Sequence, residues 1–311
     1  MGEQRIVSLI ASATEIVSAL GFEKQLVGRS HECDFPPAIA DIPVCSASKI
    51  DAQASSRRID AQVRALVEQA LSVYRVDAEF LDSLAPDLII TQSQCEVCAV
   101  SLADVQQAVG KLVSSKPAVV SLEPMDLDDV WSDIRRVAEA LEDAGGGEEL
   151  VGSLTARLSD LGRRTRQQQA QPSIACIEWI DPLMFAANWV PSLVEIAGGR
   201  IMMGKAGRHS GYFDFGELAA RDPDVVAIMP CGFDIAQSMK EMPALTGHPE
   251  WAQLSAVRND RVFVTDGNQY FNRPGPRLVE SAEILAELLH PGAFDFGHEG
   301  TGWVRWPGSG A

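Results

Sequence analysis

The side chains best suited to chemistry are His31 and Cys33 in RSHECDFPP, Cys95 and Cys98 in ITQSQCEVCAV, and Cys231 in IMPCGFD. Each group follows a run that reads as a strand, and parallel α/β sheets gather their ligands beyond the carboxyl ends of strands. A CxxC pair lets two thiolates grip one soft metal or close a redox disulfide. Zinc takes about four nitrogen or sulfur ligands, so His31, Cys33, Cys95 and Cys98 form a candidate site for zinc, iron or cobalt if their loops converge. His31 has a second reading, because imidazole is a natural axial ligand for cobalt or iron in a planar macrocycle. The structural alternative is a loop histidine bonded to the backbone, helped by Asp34 and the turn at Pro36 and Pro37. Cys231, next to Gly232, reads either as a thiolate donor or as a small buried side chain, and Cys45 and Cys176 read as core.

Aromatic residues concentrate in the loops of the second half of the chain. Among them Trp179, Trp189, Tyr212 and Tyr270 stand beside polar or turn residues at strand ends and are the candidates to line a ligand site; large flat ligands are commonly held by such faces. Catalytic signatures are absent: there is no GxxxxGK phosphate loop, no GxSxG elbow and no HExxH. A binding protein is expected rather than an enzyme.

The elements that must position these residues follow one grammar twice. Residues 5–123 alternate apolar runs with amphipathic stretches, and the same alternation returns from residue 173. The fold class expected is α/β, two lobes with mainly parallel sheets joined by one long connecting helix. The expected boundaries are an N-terminal lobe over 1–126, a helical linker over 127–171, a C-terminal lobe over 172–291 and a loose Gly- and Pro-rich tail over 292–311. In the linker, glycines 145–147 are expected to end one helix and release the next.

With 311 residues and 46% hydrophobic content the chain can fill two cores. Its net charge of -17 disfavours attraction to nucleic acid or to anionic lipid. No apolar run approaches a membrane span, so the chain is not expected to be membrane-embedded. The opening MGEQRIVSLIASATEI does not read as a leader peptide. A cytoplasmic location is therefore expected, with the six cysteines as thiols or metal ligands.

The opening RIVSLIASATEIVSALGFEKQLVGRSHECDFPP resembles the start of the cobalamin-binding proteins within the substrate-binding superfamily of ABC importers, the subclass that also takes iron-siderophores and haem. The resemblance runs through APDLIITQ, the LEP after the fourth strand, IEWIDP, ARDPDVVAIMP and RVFVTDGNQYFNRPGPRLVESAEILAELLHP, or residues 4 to 292. HECD, TQxxCxVCAVS, MPCGFD and YFxRPGPRL narrow it to a cytoplasmic-looking branch labelled cobalamin-binding.

It implies two lobes joined by a rigid helix, a cobalamin or other corrinoid held in the cleft between them, and an ABC transporter permease as a possible partner. His31, Glu32, Trp179, Trp189, Tyr212, Asp266, Asn268 and Tyr270 would then be ligand-binding, with Glu178, Asp181 and Asn188 available to peripheral amides. Exported members carry one exposed glutamate near a helix start on each lobe to dock on transporter arginines. Glu79, seven residues before Pro86, matches that position; the second lobe has Gly216 there and Glu217 one place along. Arg273 and Arg277 are expected to fix the last helix.

Overall fold

A computed structural model of the chain describes residues 3–69, 73–93, 102–110 and 115–308. The chain forms two compact units: the first takes Met1–Ala52, Ala61–Pro124 and Asp128–Ser153, the second Gln53–Asp60, Met125–Leu127 and Leu154–Ala311. Both are α/β and built on parallel strands.

In the first unit the strands are β1 (Ile6–Ser8), β2 (Leu26–Arg29), β3 (Ser46–Ser48), β4 (Tyr74–Val76), β5 (Leu88–Gln92) and β6 (Ala118–Leu122). A parallel sheet runs in the order β2-β1-β5-β6, while β3 and β4 form a separate antiparallel ribbon. The apolar run of β5 is buried along its whole length, as a parallel strand covered on both faces requires. Chain order reverses between β1 and β5, which puts the switch point of the sheet at Ser8 and Gln92. Helices α1 (Ala11–Ala19), α2 (Ser56–Glu68), α3 (Ala78–Ser83), α4 (Leu102–Val109) and α5 (Leu127–Ala140) follow the strands.

Helix α6 (Ala144–Thr165) is 22 residues long and carries the chain from one unit to the other. Its buried stripe is Val151, Leu154, Leu158 and Leu161, at helical spacing. The glycines expected to break the helices instead lie inside its first turn. Asp143 accepts from Gly146 N at 3.0 Å and caps the helix, while the left-handed residue that closes α5 is Glu142, with φ 59°. The 127–171 stretch is no separate linker, since Val130, Ile134 and Val137 of α5 are core residues of the first unit.

The second unit holds β7 (Ser173–Trp179), β8 (Met184–Phe185), β9 (Arg200–Ile201), β10 (Gly211–Tyr212), β11 (Val225–Ile228), β12 (Val262–Thr265) and β13 (Trp303–Arg305). The order is β10-β8-β7-β11-β12-β13, with β9 also paired to β7. The central strands β7, β11 and β12 are parallel; β8, β10 and β13 add antiparallel edges. Helices α7 (Val190–Ile196), α8 (Phe215–Arg221), α9 (Ile235–Thr246), α10 (Ser255–Arg258) and α11 (Leu278–Leu289) complete it.

The stretch after residue 291, expected to be a loose tail, is ordered. Its β13 pairs antiparallel with β12, and the buried Glu287 of α11 accepts from Trp303 Nε1 at 2.6 Å and from the backbone N–H groups of Phe296 and His298. Arg164 lies over the rings of Phe294 and Phe296 at 5.1 and 5.3 Å. The missing periodicity reflected a segment held by side chains from other elements. Glu287→Ala should therefore lower unfolding free energy by about 2–3 kcal/mol, the scale for orphaning several buried donors, and should speed proteolysis between residues 291 and 303. Denaturant unfolding and limited digestion of the variant read both.

Candidate functional site

In the first unit β2 runs out into Ser30, His31, Glu32 and Cys33, and the antiparallel ribbon supplies what surrounds them. The His31 ring shares a hydrogen bond of 2.8 Å between Nδ1 and Ser46 Oγ on β3, and its centroid lies 5.4 Å from that of Tyr74 on β4. Ser46 Oγ also accepts from His31 N at 3.2 Å and bonds Ser30 Oγ at 3.2 Å. Tyr74 donates its hydroxyl to Glu32 Oε1 at 3.0 Å, and that oxygen stands 3.9 Å from His31 Nε2. The His31 side chain is 24% exposed, and burial lowers its pKa below the usual histidine value. His31 is thus held by side chains of β3 and β4 rather than by the backbone contacts expected of a loop histidine.

Cys33 turns the other way. It is 1% exposed and bonded to Thr14 Oγ1 of α1 at 3.0 Å, with Ser8 O at 4.0 Å. His31 and Cys33 therefore face different partners, and among the described residues no group of three or more metal-ligating side chains converges. Cys95 and Cys98 lie outside the described residues. Cys45 and Cys176 are buried, and burial pushes the Cys45 thiol up to about 11. Cys231, half-buried, donates its backbone N–H to Glu178 O.

In the second unit β7 ends at Glu178 and Trp179. The Trp179 ring packs on Phe233 at 5.2 Å, and its buried indole N–H has no acceptor among the described residues. Glu178 accepts from Ser210 Oγ at 2.8 Å, and Ser210 Oγ accepts from Ala187 N, so one carboxyl ties the strand end to the segments that flank the antiparallel pair β8 and β10. Tyr212 on β10 is the most exposed aromatic, 56%, and donates to Asp60 at 3.3 Å. Asp181 is taken by Arg57 at 2.7 Å. Asn188 adopts φ 52° and exchanges backbone bonds with Arg208 and Gly207.

Trp189 has left the candidate surface: it is buried, and its Nε1 donates to Phe271 O. An indole that satisfies its one polar atom on the backbone packs as a core residue.

Beyond β12 the segment 266–277 is tightly cross-braced. Asp266, buried and with its pKa raised by desolvation, accepts from Gln269 N at 2.8 Å and Gln269 Nε2 at 3.1 Å. Asn268 Oδ1 accepts from Arg273 Nη2 at 3.0 Å, and Asn272 Nδ2 donates to Met229 O and Gly267 O. Arg277 donates to Gln269 and lies 5.0 Å from the Tyr270 ring centroid. These bonds hold even Phe271 at φ 43°, a conformation that costs a bulky residue energy and persists only where neighbours over-determine it. Asp266 and Asn268 brace the loop, and half-buried Tyr270 is what it displays. Glu79 and Glu217 are placed alike, in the first turns of α3 and α8, behind the caps Asp77 and Asp214. Glu217 pairs with Arg221 at 3.4 Å.

The residues missed from the sequence are Ser46, Tyr74 and Ser210. All sit on short strands or loops without an apolar pattern, and only the fold brings them to His31, Glu32 and Glu178.

Two α/β lobes of this topology are the fold of solved periplasmic binding proteins. The chain belongs to the periplasmic binding protein family, whose model matches residues 6–269. It is 22% identical over 297 residues to the uncharacterized ABC transporter substrate-binding lipoprotein YvrC of Bacillus subtilis, covering 94% of this chain and 81% of that one. It is also 22% identical over 292 residues to the vitamin B12-binding protein of Vibrio cholerae, covering 92% and 89%. The periplasmic heme-binding protein RhuT from Roseiflexus sp. RS-1 shares the fold, with a TM-score of 0.68, 22% identity and coverage of 94% and 100%.

These relatives overturn the cytoplasmic expectation. YvrC is named as a substrate-binding lipoprotein and RhuT as periplasmic, which points to an extracytoplasmic setting. A leader is a processed segment outside the folded domain, so reading the first residues was a poor guide to where the domain works.

Burial raises the Glu178 carboxyl from its ordinary 4.5 to about 7, against the opposing hydrogen bond from Ser210. A folded-state pKa above the unfolded one means that the native state binds the extra proton between those values, so stability falls as pH rises from about 4.5 to 7. Glu178→Gln should remove this component. Denaturant unfolding should show the variant gaining on wild type across that window and by a constant margin above it; parallel profiles would mean that the carboxyl titrates as if in water.

Proposed function

We propose that this chain is the substrate-binding component of an ABC importer and that it binds a corrinoid, cobalamin or a close analogue, or a related metal chelate, without transforming it. The observation that carries the reading is the family match through both lobes, together with relatives named for binding vitamin B12 and heme, two metal chelates of planar macrocycles. The ligand would lie against the carboxyl ends of the strands, where Trp179, Tyr212 and Tyr270 offer flat apolar faces.

His31 supports axial contact with the metal. Where the Ser46 hydroxyl donates to Ser30, Nδ1 is the donor to Ser46 and Nε2 keeps its lone pair. A lowered pKa favours the neutral form that coordinates, and a hydrogen-bonded second nitrogen is the usual mark of a ligating imidazole. Glu79 and Glu217 are proposed as the permease-docking residues, each on the exposed first turn of a capped helix.

Titrating the purified chain with cobalamin, cobinamide and haem by absorption and tryptophan emission tests the proposal. Saturable binding of at least one is expected, and binding of none would reject it. His31→Ala should alter the visible spectrum of the bound chelate, and a spectrum identical to wild type would remove His31 from the metal. Trp179→Leu should weaken binding about tenfold, or ~1.4 kcal/mol; unchanged affinity in the folded variant would place the ligand elsewhere.

A further inference from the structure

We infer that Arg29 is a positioning residue for His31, closing with its backbone and its guanidinium the loop that presents the imidazole. The inference rests on the proposed reading that a metal chelate is held at His31, and it adds what fixes that ligand in place.

Strand β2 ends at Arg29, and the chain returns alongside it at Val44. Arg29 N donates to Pro43 O at 2.9 Å and Arg29 O accepts from Cys45 N at 2.8 Å, so one residue holds both ends of the 30–43 loop together. Regular structure in between is limited to the helical turn Pro37–Ile39. Such a loop has carbonyls that no ladder satisfies and backbone freedom that something else must remove. The Arg29 side chain does both. Its Nε donates to Ile42 O at 3.0 Å, Nη1 to Cys33 O at 2.8 Å and to Ser30 O at 3.4 Å, and Nη2 to Ala40 O at 3.0 Å.

Two of these acceptors, Ser30 and Cys33, flank His31 and Glu32 in the chain, so the backbone that carries the imidazole is held on either side. The bond from Cys45 places the next residue, Ser46, whose hydroxyl meets His31 Nδ1 at 2.8 Å. Arg29 thus fixes both the backbone of the candidate axial ligand and the hydroxyl that orients its ring. The arrangement requires a guanidinium: its planar fork offers five N–H groups in fixed directions, whereas an ammonium is a compact point charge on a flexible stem. Every group that must be ordered on association costs affinity, so an imidazole set in advance binds a metal more tightly than a mobile one.

The test titrates the full chain with cobinamide and with haemin as wild type, Arg29→Lys, His31→Ala and the double variant. Arg29→Lys keeps the charge and removes the fork. Hydrogen exchange of the ligand-free variant should quicken within residues 30–46 and stay as in wild type in β1 and β5. Affinity for the chelate that wild type binds should fall about fivefold or more, and the visible spectrum of the bound chelate should move toward that of His31→Ala. In the His31→Ala background the same substitution should change affinity by less than about twofold. Arg29→Gln, which lacks the charge as well, should show the same dependence on His31. Equal losses in both backgrounds would make Arg29 a general brace of the lobe and overturn the inference, as would a wild-type affinity and spectrum in both Arg29 variants. Failure of wild type to bind either ligand rejects the chelate reading itself, and the positioning role with it.

Discussion

In each lobe one aspartate directly after a proline closes the foot of the leading strand. Asp87 Oδ2 accepts from Arg5 N at 2.8 Å, and Asp224 Oδ2 accepts from Ser173 N at 2.8 Å. The bond satisfies the amide at the strand entry, on exposed Arg5 in the first lobe and on buried Ser173 in the second, and so marks where the strand begins. The approach is also shared: Ala85 at φ 43° and Asp222 at φ 41° precede Pro86 and Pro223, and a capped helix runs into each turn. In the second lobe Ser173 Oγ donates to the same Asp224 oxygen at 2.7 Å, and these bonds hold the Asp224 pKa below its ordinary value. Ser8 and Trp179 lie at the carboxyl ends of β1 and β7, opposite the aspartates that hold the strand entries.

That device explains why so much of the fold was legible in the sequence. Pro-Asp followed by LIIT or VVAI marks a strand entry and a buried parallel strand in four or five residues, and its recurrence marks two lobes. The spacing of Leu154, Leu158 and Leu161 likewise gave the long helix. Elements defined by partners distant in sequence were less readable. The ribbon of β3 and β4 is three residues against three, Ser-Ala-Ser against Tyr-Arg-Val, too short for alternation to register. The tail reads as Gly, Pro and scattered aromatics until Glu287 is seen to collect three donors from it.

The site was readable by residue type but not by direction. His31 and Cys33 are two apart, yet one side chain meets β3 and β4 and the other meets α1. Spacing alone treated them as a ligand pair. Trp189 shows the same gap: beside Asn188 in a loop it had the company of a ligand-facing aromatic, and only the carbonyl of Phe271, 82 residues away, identifies it as core. Conversely, Ser46 and Tyr74 carried no signal of their own and prove to be what orients His31 and Glu32.

Rigid display of a few groups is what a binding protein requires, because affinity is lost to every side chain that must be ordered on association. The segment after β12 meets that requirement by cross-bracing, so Tyr270 stands on a loop whose amides and guanidinium groups are already committed to one another. The end of β7 is different. There the Glu178 carboxyl is both a brace, through Ser210, and a group displaced from its ordinary pKa, and the adjacent residue Trp179 carries an indole N–H without an acceptor among the described residues. A buried donor lacking a partner costs about 1–3 kcal/mol, and a ligand that supplied an acceptor to Trp179 would recover part of it. One lobe thus holds a braced loop after β12 and a polar deficit at the end of β7 among the described residues.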